Sequence, residues 1–345
     1  MAIRDTSLDP VMDGVPGDQV RLLTKVARMY HERGLRQPEI AAQLSLSQPR
    51  VSRLLKQAGE LGIVRTTVIS PPGVYADLED EIERRYGLTE AVVADTEGLR
   101  DEGAVLPAIA SAAAGYLDAT LSGNDRIGIS SWSSSLIATV EAMRPRPAQT
   151  ASSVVQILGG VGTSAAQPQA TRLTGRLAQV TRAEARYLMA PGLLASGAMR
   201  DALMTDPNIA AVLAEYATLT VALVGIGSLD PSPLLRESGN AMATEEREQL
   251  RAADAVGDIC LRFFDSQGRH VRSDVDTRVL GIETETLLSN PRRVAVAGGE
   301  RKWRAIRAAA TGGWLNVLVT DLHTAEYLLG PDDADPTDNS SPLPA

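Results

Sequence analysis

The stretch QPEIAAQLSLSQPRVSRLLK, residues 37–56, reads as two short helices joined by a tight turn. Pro38 stands where a helix tolerates a missing N–H, so a first helix is expected over 38–44. Ser45-Leu46 makes the turn. Ser47 is a suitable N-cap, Pro49 fits the first turn, and a second helix is expected through Lys56. Ile40, Ala41, Leu44, Leu46, Val51, Leu54 and Leu55 are spaced to pack inward. Gln48, Arg50, Ser52, Arg53, Lys56 and Gln57 then face outward. An apolar inner face, with a second helix whose first turns carry polar reach, is what a helix-turn-helix needs to enter a major groove. Arg can bond guanine bidentately, Gln can bond adenine, and Lys contacts phosphate. An ordinary helical hairpin with a solvated face is the alternative.

The charge distribution supports the first reading. The whole chain carries −9, an unpromising value for a polyanion binder. Yet residues 19–66 hold nine Lys and Arg against three acids, a net +6, which leaves −15 on the remainder. A small basic module on a large acidic body can bind nucleic acid locally. Upstream, an amphipathic helix is expected over 19–33, with Val20, Leu23, Val26, Ala27 and Tyr30 on one face and Gly34 closing it. Downstream, 63–69 reads as a β-wing. Residues 1–18 and 331–345 read as tails without periodic pattern, and 75–86 as an acidic amphipathic helix that links two domains or packs on the second.

At 345 residues, two domains are expected. Hydrophobic residues make up 44%, enough for a core, and aromatics only 3%, so that core is aliphatic. The single cysteine, Cys260, excludes an internal disulfide framework and a cysteine-based zinc site, and it fits a reducing cytoplasm. The sequence has neither a long apolar run nor a hydrophobic leader core. No cofactor and no metal are expected.

From residue 88 the pattern changes to alternating strands and helices. Strands are expected over 91–94, 126–130, 153–158, 185–188, 219–224, 256–263, 293–297 and 315–320. Helices are expected over 104–121, 134–143, 170–181, 207–217, 244–253, 302–310 and 321–329. This alternation implies an α/β domain with a mainly parallel, doubly wound sheet. Ligands bind such sheets at the carboxyl ends of the strands. Four strand-end loops qualify: the serine-rich 130–135, the glycine-rich 159–163 and 224–228, and 297–302. In the last, Lys302 opens a helix after a Gly-Gly pair and can neutralise a phosphate.

The run KVARMYHERGLRQPEIAAQLSLSQPRVSRLLKQAGELGIVRTTV resembles the DNA-binding domain of the SorC family of bacterial sugar-responsive regulators. The resemblance continues through GISSWSSSL, ILGGVG, MAPG, GIG, AVGDI, FFDSQG, VAGGERKWRAI and NVLVTDLHTAEYLL, almost to residue 330. It implies a winged helix-turn-helix followed by a Rossmann-like effector domain of the sugar-phosphate isomerase and deaminase type. The expected boundaries are 19–70 for the first, 71–87 for a linker helix and 88–330 for the second.

The resemblance also implies operator DNA and a sugar or sugar phosphate as partners, self-association into dimers or tetramers, and a cytoplasmic place. Carried onto this chain, the DNA-facing residues are Gln37, Ser47, Gln48, Pro49, Arg50, Ser52, Arg53 and Lys56. The effector-facing residues are Ser133, Ser134, Ser135, Gly160, Gly162, Asp258 and Lys302. Ser133 and Ser135 stand where the family commonly has glycine and threonine, which leaves an unphosphorylated polyol or sugar open as effector.

The competing class is a sugar-phosphate isomerase or deaminase with a DNA-binding appendage. It needs a general base at the substrate carbon. His31 lies in the DNA-binding module, and His270 and His323 sit in no recognisable acid–base cluster. Asp258 and Asp321 are possible bases but read more simply as a sugar ligand or a helix cap, so no catalytic residue is expected. A sigma-factor-like promoter binder has a similar helix-turn-helix but no use for a large α/β domain.

Overall fold

The computed structural model describes residues 16–66 and 69–331. It splits into two compact units between Ser70 and Pro71.

The first unit packs three helices: α1 (Gly17–His31), α2 (Gln37–Leu44) and α3 (Gln48–Glu60). Leu23, Val26 and Ala27 of α1 meet Ile40 and Ala41 of α2, and Val51, Leu54 and Ala58 of α3. Met29 is 3% exposed and Tyr30 39%, so methionine takes the inward place expected of the tyrosine. Ser45 turns the chain with φ of +53°, and the Leu46 amide donates to Ala41 O at 2.9 Å. Ser47 precedes α3 in extended geometry, but its hydroxyl makes no cap bond. The reason lies in its neighbours. Pro49 has no amide to give, and the Arg50 amide donates to the Ser47 carbonyl at 3.0 Å. Of the expected wing, 67 and 68 lie outside the described residues. Residues 63–66 form no strand, and Ile63 and Val64 pack against the helices. Residues 1–15 and 332–345 of the expected tails also lie outside.

The second unit opens with α4 (Ala76–Tyr86) and β1 (Glu90–Ala94), then α5 (Glu102–Thr120), β2 (Arg126–Ile129), α6 (Ser134–Ala142) and β3 (Ser153–Gln156). It continues through α7 (Gln167–Thr181), β4 (Glu184–Arg186), α8 (Gly197–Met204), α9 (Pro207–Glu215), β5 (Val221–Val224) and β6 (Gly227–Ser228). Next come α10 (Pro233–Ser238), α11 (Thr244–Ala252), β7 (Ala255–Ile259), β8 (Arg262–Asp265) and α12 (Thr284–Ser289). It ends with β9 (Arg293–Val296), α13 (Trp303–Thr311), β10 (Val317–Asp321) and α14 (Leu322–Leu329).

Seven strands form one sheet in the order β1-β10-β9-β5-β2-β3-β4, every neighbour parallel. Its two faces bury alternate residues. Ile127, Ile129, Val221, Leu223, Val294 and Val296 point toward α5, α6 and α7. Ala222, Val224, Ala295, Ala297 and Leu318 point toward α13 and α14. This is the mainly parallel, two-faced sheet that the apolar strand runs imply.

The helix expected as a linker packs on this unit. Glu83 and Glu79 of α4 accept the edge amides of Ala91 (2.9 Å) and Val93 (2.8 Å), and the Tyr86 hydroxyl donates to Leu328 O at 2.7 Å. The strand expected over 256–263 is instead a hairpin of β7 and β8, turned at Cys260 and Leu261. With β6 it forms a separate antiparallel sheet, in which Gly227 pairs with Asp258 and Ile259 with Arg262. The short β6, α8, α10 and α12 were not expected.

Candidate functional site

From β2 the chain moves to β3 and β4 on one side of the sheet; from β5 it moves to β9 and β10 on the other. The two directions part between adjacent strands β2 and β5. A crevice opens at the carboxyl ends of strands at such a switch point. Here a cleft of about 70 Å³ opens, lined by the loops after β2, β5 and β9 and by the β7–β8 turn.

The loop after β2 is pinned before it reaches the cleft. The Ser131 hydroxyl donates to Leu158 O at 2.6 Å and the Trp132 indole to Gly159 O at 3.0 Å. Ser133 caps α6, its Oγ accepting the Leu136 amide at 3.3 Å. Ser134 opens the helix, so first-turn amides and the positive end of the helix dipole face the cleft with the serine hydroxyls.

Opposite lies Lys302, only 8% exposed. Among the described residues its ammonium makes no hydrogen bond and no ion pair. Burial, then the neighbouring Arg301, lower its pKa from the ordinary lysine range, while Glu102 and Asp258 pull the other way. A desolvated cation without a direct partner has the chemistry to hold an anion.

Asp258 completes the rim. Its Oδ2 accepts the Leu261 amide at 2.9 Å. Burial pushes its carboxyl up to about 6, against the Leu261 bond and the Lys302 charge, which hold it down. Because this acid's pKa is raised on folding, its favourable contribution is complete near pH 4 and is lost as pH climbs through 6. The loss amounts to about 3 kcal/mol for a shift of roughly two units. Asp258→Asn keeps the acceptor for Leu261 but does not titrate. The variant should gain stability relative to the parent between pH 4 and pH 7, read as a pair of Tm-against-pH curves. Parallel curves would remove the buried carboxylate from the account.

The glycines of the loop after β5 make room for polar side chains. A Cβ on Gly225 would collide with Ser133 Oγ, and one on Gly227 with Asp258 Oδ1. Gly227→Ala should therefore cost about 1–3 kcal/mol of stability by overpacking. In a double-mutant cycle this penalty should shrink once Asp258 is also truncated to alanine. An unchanged penalty would place the collision elsewhere.

Of the expected effector residues, Ser133, Ser134, Asp258 and Lys302 meet in the cleft. Ser135 is buried within α6, its carbonyl accepting the Thr139 hydroxyl at 2.7 Å. Gly160 and Gly162 are not brought there. Their loop has spent its amides: Gly159 on Leu280 O, Gly160 on Leu188 O, Val161 on Ala190 O and Gly162 on Gln167 Oε1. Added Cβ atoms would lie 2.6 Å from the Gln156 amide and 2.7 Å from Ser238 O. Those glycines make room for close neighbours and do not line the cleft. Ser228 and Arg301 line the cleft from the expected loops 224–228 and 297–302, though neither was singled out, whereas Cys260 and Leu261 were not expected as lining.

In the first unit, Gln48, Pro49, Arg50, Ser52, Arg53 and Lys56 are exposed on α3, with Ser47 just before it; Gln37 is half-buried. Arg50 and Arg53 have no hydrogen-bond or ion-pair partner among the described residues. Lys56 pairs with Glu60 at 3.7 Å, both exposed. Gln57 is half-buried and accepts from Gln19 at 3.3 Å, so it leaves the outward set.

Residues 71–330 match the family model described as "Putative sugar-binding domain". The sorbitol operon regulator of Klebsiella pneumoniae is 34% identical over 316 residues, which span 90% of this chain and 98% of that protein. The chain belongs to the SorC family. The deoxyribonucleoside regulator of Bacillus subtilis is 31% identical over 90% of this chain and 98% of its own length. The crystal structure of full-length SorC from Klebsiella pneumoniae superposes with a TM-score of 0.68 at 32% identity, covering 91% of this chain and 100% of that one. This SorC-family chain is thus a DNA-binding transcriptional regulator of carbohydrate metabolism with a sugar-binding domain. No helix among the described residues is long and apolar enough to cross a membrane.

Proposed function

We propose that the first unit, residues 19–70, is a winged helix-turn-helix that reads operator DNA through α3, and that an anionic sugar, a sugar phosphate, binds the switch-point cleft and alters operator affinity. Ser133 and Ser134 with the α6 amides hold the phosphate, Lys302 neutralises it, and Asp258 faces the hydroxyls. The observation that carries the phosphate assignment is the buried, unpartnered Lys302 across from a helix N-terminus. Asp321 lies outside the residues lining the cleft, and none of the three histidines lines it. His270 pairs with Asp276 at 3.0 Å and His323 with Glu326 at 3.3 Å. Asp258 is the one carboxyl among the residues lining the cleft, and with one oxygen held by the Leu261 amide it is read as a hydroxyl acceptor, so the reading is binding without turnover.

A two-fold assembly would set two α3 helices into successive major grooves of a palindromic site. By linkage the effector must bind one DNA-affinity state better than the other. Selection from random duplex DNA, with and without a panel of sugars, polyols and their phosphates, tests both halves. The expected result is a palindromic consensus whose recovery changes with a phosphorylated member. A phosphate ester that binds tightly and leaves recovery unchanged would break the coupling.

A further inference from the structure

The tip of the β7–β8 hairpin adopts a conformation that suits glycine, yet holds none. Cys260 and Leu261, its two turn residues, have φ of +54° and +60°. A two-residue turn of this geometry ordinarily takes Asn-Gly or Asp-Gly, because larger side chains are strained in the left-handed region. Here both side chains are buried and both line the cleft.

A polar framework holds the tip in place. Asp258 Oδ2 accepts the Leu261 amide from one side. Arg262, paired with Ile259 at the base of the turn, is 1% exposed. Its Nε donates to Ile282 O at 3.1 Å, and its Nη1 to the carbonyl and carboxylate of Asp276 at 3.2 Å. The strained turn is thus fixed against the rest of the unit, and its side chains stay where they are.

The chemistry of the cleft is one-sided as a result. Ser133, Ser134 and Lys302 come from the loops after β2 and β9. The tip presents an isobutyl group and a thiol, and burial keeps that thiol protonated. The Leu261 amide is already spent on Asp258. Asp258, beside the tip, can take a mid-chain hydroxyl, but a terminal hydroxyl turned to Cys260 and Leu261 themselves would be buried against groups that bond it weakly or not at all, whereas a methyl group would find apolar contact.

We infer that the Cys260-Leu261 tip is a specificity-determining wall of the effector cleft, selecting a phosphomonoester whose end remote from the phosphate is an unhydroxylated carbon. This rests on the phosphate reading of Lys302 and the α6 N-terminus given above.

Isothermal titration of the full-length chain tests it with three probes: inorganic phosphate, glycerol 1-phosphate and propane-1,2-diol 1-phosphate. The two esters differ only in a terminal CH₂OH or CH₃. The parent should prefer the methyl-ended ester by about tenfold or more. Leu261→Asn tolerates the left-handed backbone and offers an amide to a hydroxyl, so it should erase or reverse the preference. Cys260→Gly removes the other half of the wall and relieves its strain, and should also narrow the ratio; it decides the matter if the asparagine variant fails to fold. Inorganic phosphate should bind all three proteins within about twofold, since the anion half is untouched.

A ratio near one in the parent, or a preference that persists in both variants, would overturn the role of the tip alone. If neither phosphate nor either ester binds the parent, the phosphate reading itself falls, and the wall with it.

Discussion

Lys302→Met should abolish the response to phosphate esters while making the unliganded protein more stable. The two effects share one cause. The ammonium is buried with no direct partner, so the folded state bears its desolvation, and its pKa is lowered accordingly. For a base with a depressed pKa, stability is present at high pH and is lost as pH falls through the folded pKa. At pH 7 the parent therefore carries the penalty of the charge. Methionine has nearly the same length and no charge, so it removes that penalty and keeps the packing. The gap in Tm between variant and parent should narrow as pH rises toward 10. On the ligand side, removing one partner from a buried charge pair costs about 2–5 kcal/mol, roughly 30-fold to several thousandfold in Kd. Titration calorimetry with a phosphate ester reads the second effect and a melting series the first. Stabilisation without loss of binding would mean that the ligand anion sits elsewhere, leaving Lys302 as a tolerated buried charge.

The sheet could be read from the sequence because its strands are buried on both faces. Runs such as Arg293-Val294-Ala295-Val296 and Val317-Leu318-Val319 have no polar alternation, and only a parallel sheet under helices on both sides explains them. The helix pair α2 and α3 was equally open, since Ile40, Ala41, Val51 and Leu54 occupy helical spacing with arginines between. What was not legible is instructive. Residues 256–263 look like one strand because the turn at Cys260-Leu261 uses two apolar residues and no glycine, asparagine or proline. The left-handed backbone there is imposed by Asp258 and Arg262 from outside the turn, and tertiary imposition leaves no local signal. The Gly159-Gly160-Val161-Gly162 loop misled in the opposite direction. Its glycines resemble a ligand cradle, yet they answer to close neighbours such as Gln156, Trp132 and Ser238. Glycine density reports close approach but not to what. The place of Lys302 at the cleft followed from a lysine that opens a helix after Gly-Gly at a strand end, with a surface lysine near a turn as the alternative, whereas Asp258 entered through family resemblance and as a possible base.

Arg50→Ala should lower affinity for the selected DNA site by about 1–3 kcal/mol per bound protomer, and doubly so in a two-fold complex. Arg50 occupies the third position of α3, in its first turn, where a recognition helix reaches base edges. Its side chain is exposed and has no partner among the described residues, so it is free to bond guanine through both nitrogens. The same freedom means that truncation disturbs no protein contact, and stability should change by no more than about 0.5 kcal/mol. Any loss of binding then belongs to the interface and not to folding. Base reading and phosphate contact can be separated in one experiment. Loss of a base reader relaxes discrimination at a single base pair and leaves affinity for other sequences near its former value. Loss of a phosphate contact weakens all sequences alike and reduces the salt dependence by about one charge. Arg50→Ala is expected to behave in the first way and Lys56→Ala, further along α3 and already paired with Glu60, in the second. Binding of the parent and both variants to every single-base variant of the selected site, at two salt concentrations, distinguishes them. If Arg50→Ala weakens every sequence equally, Arg50 touches only the backbone, and direct reading of the site passes to Gln48, Ser52 and Arg53.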